Sequence, residues 1–328
     1  MTLEEAQRVA EIIRTRIQYD VMGRDEVIEL ALVSLLSGGH MLLEDYPGSG
    51  KTTLAKALGE SIKLGEESER SLIKAPFRRV QFTPDMLPSD ITGVMVFDGQ
   101  KNDFYFRQGP VFSFVLLVDE INRTSPKVQS AMLECMAEGQ VTIDNQTYQL
   151  DDLFFVIATQ NPLDSVGTYP LPVAQLDRFL FKVKMDHIDR KSELEVLNAW
   201  GIPRERQEMI QVSRDDVVAA RNAIRHQVFV HESVKTCLVD FASILRSDKR
   251  CLQGVSTRSL VQAIPALQAH AMLAGRDYVS AQDIIDLASY IFAHRLTVIP
   301  GVQDVSGLIH EALKVPIEKL SQSTTRET

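Results

Sequence analysis

The sequence has few cysteines, and their spacing fits neither a disulfide framework nor a metal finger. Cys135, Cys237 and Cys251 are odd in number and far apart in the chain, which indicates inert thiols in a core or on a helix face. The 7 histidines are scattered, without clustered carboxylates or thiolates, so the sequence offers no metal-delivery site of its own. A disulfide scaffold and a zinc module are both excluded.

Long apolar runs and an excess of positive charge are also missing. No run approaches the roughly 20 residues that are needed to cross a bilayer, and residues 1–5 are acidic, unlike a secretory signal. The net charge of −9 argues against nucleic acid as the main partner. We therefore expect a cytoplasmic protein that neither inserts into a membrane nor binds nucleic acid.

The chain shows no internal repeat, but it is long for a single core. Its 328 residues are 45% hydrophobic and 24% charged, an ordinary balance for a soluble globular protein, and this length favours two domains. The character changes near residues 186–192, where predicted strands give way to helical segments. We predict an α/β domain over residues 1–188 and an α-helical domain over residues 189–328.

Hydrophobic periodicity locates the elements of the first domain. Apolar residues at helical spacing predict helices over residues 1–19 and 25–36. A serine followed by Pro126 predicts a helix start, and Gly139 predicts its end. Two prolines argue against any regular element in residues 83–93. Short apolar runs predict strands over residues 40–44, 79–82, 112–118, 154–158 and 179–185.

Two further regions, residues 95–106 and residues 140–150, are predicted to form β-hairpins with exposed tips. Phe104, Tyr105 and Phe106 could grip a polypeptide, but their place in a strand favours side chains that face the core. A motor that moves along a phosphate backbone needs cationic loops. Both tips lack them, which argues against a helicase.

The first residues with a chemical signature lie between a predicted strand and a predicted helix. Residues 40–58 contain an apolar run, the turn DYPGSGKTT and a helix-forming segment, which is the context that a phosphate-binding loop requires. Gly48 and Gly50 would let backbone N–H groups face a phosphate at the helix N-terminus. Lys51 would reach the β and γ phosphates of a nucleotide, and the Thr52 hydroxyl would bind Mg²⁺. A Gly-Lys-Thr tripeptide alone can also be an ordinary turn into a helix.

Polar residues follow the next buried runs. Asp119 and Glu120 end an apolar run about 70 residues after the loop, and Asn161 follows the run after that. Phosphoryl transfer needs a bound metal ion and a correctly oriented water molecule. Asp119 would therefore hold Mg²⁺, Glu120 would polarise the water and Asn161 would orient it. Ligands bind where parallel strands end, so these side chains would meet. The alternatives are that Asp119 and Glu120 merely begin a solvent-exposed loop, and that Asn161 belongs to an ordinary Asn-Pro turn.

These motifs, in this order, resemble the AAA+ ATPases, and within them the MoxR family of the helix-2-insert branch. The similarity runs from about residue 21 to about residue 295. The strict loop pattern has glycine where Asp45 stands, but MoxR-like proteins also carry acidic residues there. The matching segments are LLEDYPGSGKT at 42–52, QFTPD at 81–85, LPSDITG at 87–93, DEINR at 119–123, ATQNP at 158–162 and YPLPVAQLDRF at 169–179.

The resemblance implies a fold class, cofactors and an assembly. The fold would be α/β: a P-loop AAA+ core whose five-stranded parallel sheet is flanked by helices, with two β-hairpin insertions and a C-terminal all-α lid domain. ATP and Mg²⁺ would lie between core and lid, at the contact with the next subunit of a homo-oligomeric ring, which is usually a hexamer. Residues 21–23 match the stretch that usually borders the adenine.

The resemblance also implies roles for individual residues. Arg178 falls at the position of the arginine finger and Arg258 at that of sensor 2, and which subunit's ATP Arg258 contacts stays open. Arg123 is a weaker candidate for an intersubunit contact. For each arginine the alternative is a solvated surface charge or a helix cap. The matching positions assign ATP contacts to Gly48, Ser49, Gly50, Lys51, Thr52 and Thr53, magnesium ligands to Thr52 and Asp119, and catalytic roles to Glu120, Asn161 as sensor 1, and Arg178.

Three functions are compatible with these motifs. The resemblance implies a chaperone-like ATPase that remodels or matures protein clients, often beside a partner with a von Willebrand factor A domain. The second function is a motor for metal insertion, resembling that of magnesium chelatase, which dependence on a porphyrin-binding partner would identify. The third is a nucleotide-switched binding module that hydrolyses ATP too slowly to do work.

Overall fold

A computed structural model describes residues 1–46, 48–64, 73, 75–161, 167–199 and 210–326. The helices are α1 (Leu3–Asp20), α2 (Asp25–Ser37), α3 (Lys51–Glu60), α4 (Pro88–Thr92), α5 (Pro126–Glu138), α6 (Val173–Leu176), α7 (Arg190–Ala199), α8 (Arg214–Gln227), α9 (Glu232–Ser247), α10 (Thr257–Leu273), α11 (Ala281–Phe292) and α12 (Val305–Arg326). The strands are β1 (Met41–Asp45), β2 (Ile62–Lys63), β3 (Phe77–Gln81), β4 (Gly93–Asp98), β5 (Asp103–Gln108), β6 (Val115–Asp119), β7 (Gln140–Ile143), β8 (Gln146–Gln149), β9 (Phe155–Gln160), β10 (Phe181–Met185), β11 (Val212–Ser213), β12 (Cys251–Gln253) and β13 (Thr297–Val298).

Five strands form the central sheet in the order β10-β1-β9-β6-β3, and every neighbouring pair is parallel. Successive side chains of a strand point to opposite faces, and both faces are buried here. Met41 and Leu43 of β1 belong to one apolar core together with α1, α2 and α3, whereas Leu42 belongs to a second core with α5. The predicted five-stranded parallel sheet between helices is confirmed.

The N-terminal helices pack against the C-terminal helical region as well as against the sheet. The apolar stripe predicted for α1 is confirmed by the burial of Val9, Ile13 and Ile17. α1 packs on α8, and α2 packs on both α8 and α10. One apolar cluster therefore continues from the sheet into the helical region, and the domain boundary between residues 188 and 189 stays a prediction.

The region after β10 is largely helical, as expected, and it contains short strands in addition. β11 pairs with β2, and β12 pairs with β13. Reciprocal capping boxes start α8 at Ser213 and Asp216 and start α11 at Ser280 and Asp283, and these satisfy N–H groups that the helix itself cannot bond. Among the described residues, no helix is both long enough and apolar enough to span a membrane.

The prediction that residues 83–93 hold no regular element is wrong, because α4 begins at Pro88. Proline is tolerated at the first helical position, where its missing N–H would have no intrahelical partner. The Asp90 carboxylate accepts the N–H of Leu87 at 2.8 Å and closes this helix start. The strand predicted over residues 112–118 is present as β6, but it begins later, at Val115.

Both predicted hairpins are confirmed, as the antiparallel pairs β4–β5 and β7–β8. Asp144 and Asn145 form the second tip with φ values of 48° and 65°, left-handed values that Asn and Asp tolerate better than most residues. The hairpins contact each other through Phe106 and Tyr148, whose rings stack with centroids 4.2 Å apart.

The aromatic residues of the first hairpin do not all face the core. Phe104 is 60% exposed and Tyr105 is 51% exposed, so the prediction that both face the core is wrong, whereas Phe106 is packed. Successive side chains of a strand point to opposite faces, so Phe104 shares a face with the packed Phe106, whereas Tyr105 lies on the other face. The ring of Phe97 lies 5.1 Å from that of Phe104. Phe97, Phe104 and Tyr105, which are exposed on the two faces of the hairpin near its tip, are together called the aromatic hairpin surface below.

Candidate active site

The glycine-rich turn connects β1 to the N-terminus of α3. Gly48 and Gly50 have φ values of +85° and +92°, which other residues rarely adopt. α3 then begins at Lys51, and its N-cap residue Gly50 offers no capping side chain. No side chain of the N-cap residue therefore neutralises the positive end of the helix. This geometry fits a bound phosphate group.

A buried carboxylate lies opposite the lysine of this loop. Asp119 ends β6 and is 1% exposed, and its Oδ1 lies 3.8 Å from the Nζ of Lys51. The Nε of Arg79 lies 2.6 Å from the Oδ2 of Asp119, and the Thr159 hydroxyl donates to Oδ1 at 3.4 Å. Burying a carboxylate is costly unless cations and donors compensate it, and here both do. The structure therefore brings the predicted metal ligand to the loop, whose Thr52 follows Lys51 in the first turn of α3.

Glu120 is held in an unusual backbone conformation next to Asp119. Its φ of 55° and ψ of 54° are left-handed, which costs a residue with a side chain about 1–2 kcal/mol. Its N–H donates to the Thr159 hydroxyl at 3.0 Å. Its carboxylate accepts from the Nε2 of Gln81 at 2.6 Å and lies 3.0 Å from the Nε of Arg123. The contact of Arg123 that the structure shows is thus within its own chain, and an intersubunit role for it stays a prediction.

Asn161 lies at the end of the strand between the other two motifs. It directly follows β9, which runs between β1 and β6 in the sheet. Ala158 of β9 is in register with Leu42 of β1 on one side and with Val118 of β6 on the other. The carboxyl ends of these three strands meet at one edge of the sheet, so the phosphate loop, Asp119 with Glu120, and Asn161 share one crevice.

A cavity of about 540 Å³ lies beside the phosphate loop and is called the loop cavity below. Its lining includes residues 48–50 and 53 of the phosphate loop and also residues 21–22, which belong to the stretch expected to border an adenine. Val196 and Leu197 of α7 add an apolar wall. A cavity of this size that combines an apolar wall with a few polar groups is typical of cofactor and nucleotide sites.

Arg178 and Arg258 lie together, but away from this crevice. Both line a second cavity of about 260 Å³, with His40 and Leu180, which is called the arginine cavity below. His40 and Leu180 precede β1 and β10, whereas the loop cavity lies beyond the other ends of these strands. At about 3.3 Å per residue, roughly 20 Å separates the two edges. Within one chain, the structure does not bring these arginines to the phosphate loop.

Known proteins resemble this chain over most of its length. The family described as "ATPase family associated with various cellular activities (AAA)" matches residues 40–181, and the AAA lid domain matches residues 245–311. An uncharacterized Bacillus subtilis protein, YeaC, is 41% identical over 91% of this chain and 92% of its own length. The chaperone MoxR1 of Mycobacterium tuberculosis is 35% identical over 84% of this chain and 72% of its own length. This chain belongs to the MoxR family of AAA+ ATPases.

A solved structure shares the fold of this MoxR-family chain. A candidate ATPase from Cytophaga hutchinsonii superposes with a TM-score of 0.83 at 35% identity, covering 95% of this chain and 96% of its own. Nucleotide binding and ATPase activity are general to the AAA family that the chain matches. The MoxR-family chain described here is therefore a nucleotide-binding ATPase.

Sequence reasoning assigned no role to three residues of this MoxR-family site, namely Arg79, Gln81 and Thr159. Arg79 and Gln81 are alternate residues of β3, so their side chains share a face. Polar side chains at alternate positions near the end of a strand are a signal that could have located them. Thr159 could have been noticed because a hydroxyl interrupts an apolar run just before Asn161.

Lys51→Ala is expected to weaken ATP binding by about 10- to 150-fold, because a hydrogen bond to a charged group contributes about 1.5–3 kcal/mol. Equilibrium titration with a fluorescent ATP analogue measures this effect. Lys56→Ala is the matched control, since Lys56 lies on the same helix, is 50% exposed and pairs with Glu60. Equal ATP affinities for the wild type and the Lys51 variant would show that Lys51 does not bind the nucleotide.

Proposed function

We propose that this chain is a Mg²⁺-dependent ATPase that works as a ring of identical subunits, usually six, and couples hydrolysis to remodelling or maturation of protein clients. One observation carries this proposal, the division of the site between opposite edges of the sheet. Lys51, Asp119 and Glu120 lie at one edge, and Arg178 and Arg258 lie at the other. A ring that brings unlike edges of neighbouring copies together would complete every site.

The residues at the first edge fit a metal-bound nucleotide. The Asp119 carboxylate and the Thr52 hydroxyl are hard oxygen ligands of the kind that Mg²⁺ prefers, and the buried Asp119 is held by Thr159. Bound Mg²⁺ supplies positive charge beside the β and γ phosphates. Lys51 and the N-terminus of α3 would bind the same phosphates.

The hydrolytic step would then combine groups from two subunits. Glu120, whose carboxylate is held by Gln81 at 2.6 Å, would polarise the attacking water, and Asn161 would orient that water. Arg178 of the neighbouring subunit would meet the negative charge that develops on the transferred phosphoryl group. Arg258 lines the same cavity as Arg178, which favours action on the neighbour's ATP as well.

Protein clients fit the exposed surfaces better than nucleic acid does. The aromatic hairpin surface offers apolar contacts. The first tip, with Asp98, Lys101 and Asp103, is slightly acidic, and Asp144 makes the second tip acidic as well, so neither tip is the cationic loop that a phosphate backbone needs. The name of the chaperone MoxR1 among the relatives supports client remodelling. A partner with a von Willebrand factor A domain and a cytoplasmic location, both expected from the sequence, belong to this proposal.

ATP turnover per subunit, measured with Mg²⁺ as protein concentration rises through the micromolar range, tests the proposal. We expect turnover to rise steeply, since Arg178 does not reach the phosphate loop of its own subunit. We also expect turnover to be lost when Mg²⁺ is chelated. Light scattering at each concentration measures the size of the protein and shows whether a ring is already present at the lowest concentration. A constant turnover from a protein that sizes as a monomer would contradict the shared site.

A further inference from the structure

A buried arginine of the helical region holds the backbone on both sides of Arg178. Arg295 lies in the helical turn after α11 and is 3% exposed. Its Nη2 donates to the carbonyl oxygens of Asp177 at 3.3 Å and of Phe179 at 2.8 Å. Arg178 is the residue between these two carbonyls, so one guanidinium group brackets it.

The Asp177 side chain adds a second attachment to the same region. The Nε of Arg295 lies 2.9 Å from the Oδ1 of Asp177, and the Ser259 hydroxyl donates to that oxygen at 3.0 Å. The Nε of Arg258 lies 3.8 Å from Oδ2. Ser259 and Arg258 both lie at the start of α10. Asp177 therefore links the segment that carries Arg178 to Arg258, the other arginine of the arginine cavity.

The surrounding helices fix the guanidinium of Arg295 in turn. Its Nη1 donates to the carbonyl oxygen of Ile291 at 2.7 Å, and its Nη2 donates to the Oε1 of Gln262 at 2.7 Å. Burial lowers the pKa of Arg295 to about 10, so the group remains charged at neutral pH. The Nη1 and Nη2 groups bond to acceptors on three sides, while the Nε contributes only its charge contact with Asp177. Such buried hydrogen bonds restrict movement, so the segment that carries Arg178 is held as well.

We propose that Arg295 and Asp177 are positioning residues for Arg178, which they fix from the helical region of its own chain so that it reaches the neighbouring subunit's nucleotide. This inference rests on the proposed action of Arg178 in trans. The alternative is that Arg295 only stabilises the packing of the helical region against the sheet domain. The two roles differ in where a defect appears: a misplaced Arg178 harms the neighbour's site, whereas loosened packing harms the subunit's own.

Mixed subunits separate these two effects. Arg178→Ala subunits keep the phosphate loop but lack the finger, and Glu120→Gln subunits keep the finger but cannot hydrolyse. The mixture turns over ATP only where a Glu120→Gln subunit completes the site of an Arg178→Ala subunit. Arg295→Lys is then added to one partner at a time. Lysine keeps the charge beside Asp177, but it lacks the planar fork that reaches several acceptors together.

A positioning role predicts an asymmetric result. In the Glu120→Gln partner, Arg295→Lys should lower the mixed turnover by about 10- to 100-fold, since a displacement of about 1 Å can cost that much. In the Arg178→Ala partner, the same change should leave turnover near that of the parent mixture. Equal losses in both arrangements, or no loss in either, overturn the inference. A parent mixture that recovers no turnover overturns the trans role of Arg178, and the inference falls with it.

Arg221→Lys is the matched control for general loosening of the helical region. Arg221 of α8 also holds a core carbonyl, with its Nε 2.7 Å from the oxygen of Leu35, and burial lowers its pKa to about 10 as well. It should show no asymmetry between the two partners. If Arg295→Lys does not fold, Gln262→Ala removes the acceptor that orients Arg295. Gln262→Ala should give the same asymmetry with a smaller loss of turnover, and equal losses in the two partners overturn the inference.

Discussion

Arg178→Ala is expected to lower ATP turnover by about 10³- to 10⁵-fold, the range over which a supplied arginine accelerates phosphoryl transfer. This loss corresponds to about 4–7 kcal/mol of activation free energy. The affinity of the variant for ATP should stay nearly unchanged, because the proposed finger meets the charge that develops on the phosphoryl group in the transition state, whereas Lys51 and the N-terminus of α3 would bind the phosphates of the ground state. Steady-state turnover and equilibrium ATP titration measure the two quantities separately.

The control for Arg178→Ala is Arg8→Ala, which removes an exposed arginine from α1 and should change neither quantity. Mixing Arg178→Ala with Glu120→Gln subunits should restore part of the activity, since each supplies what the other lacks. Turnover close to that of the wild type would contradict the finger, and a parallel loss of ATP affinity would contradict its action on the transition state alone.

Glu120→Gln should lower turnover by about 10²- to 10⁴-fold, the usual contribution of a positioned general base. Glutamine has nearly the same size and can keep the contact with Gln81, but it cannot take a proton from water. The variant should therefore still bind ATP, and it should accumulate in the ATP-bound state. Rapid filtration with radiolabelled ATP, followed by analysis of the retained nucleotide, measures both effects.

Glu318→Gln is the control for this change, because Glu318 is exposed on α12. If the wild type already hydrolyses so slowly that Glu120→Gln makes little difference, the nucleotide-switched binding module becomes the better description. The result with Glu120 therefore separates an ATP-driven machine from a slow switch, which the motifs alone leave open.

The sequence located the crevice because its signals are local. β6 is apolar from Val115 to Val118, as a strand buried on both faces must be, and it ends at Asp119. The turn at Gly48 and Gly50 is likewise followed at once by a helix. Parallel strands end at a common edge, so the meeting of these residues follows from the fold class.

Other features depend on contacts that no local pattern records. Arg295 bonds the carbonyl of Asp177 across 118 positions of the chain, and Arg79 pairs with Asp119 only because β3 and β6 adopt one particular register. The exposure of Phe104 and Tyr105, on opposite faces of β5, depends on how far the neighbouring elements cover that hairpin. Alternation within a strand indicates two faces, but it does not say which face is covered.

Force applied at one hairpin tip would be shared by both hairpins. A lone two-stranded hairpin is at best marginally stable in water and bends easily, but the ring stack of Phe106 on Tyr148 couples the two. The second hairpin begins directly after α5, which itself starts shortly after Glu120. A tilt of α5 would then swing both hairpins as one stiff lever, and the aromatic hairpin surface would travel through a wider arc than the helix that drives it.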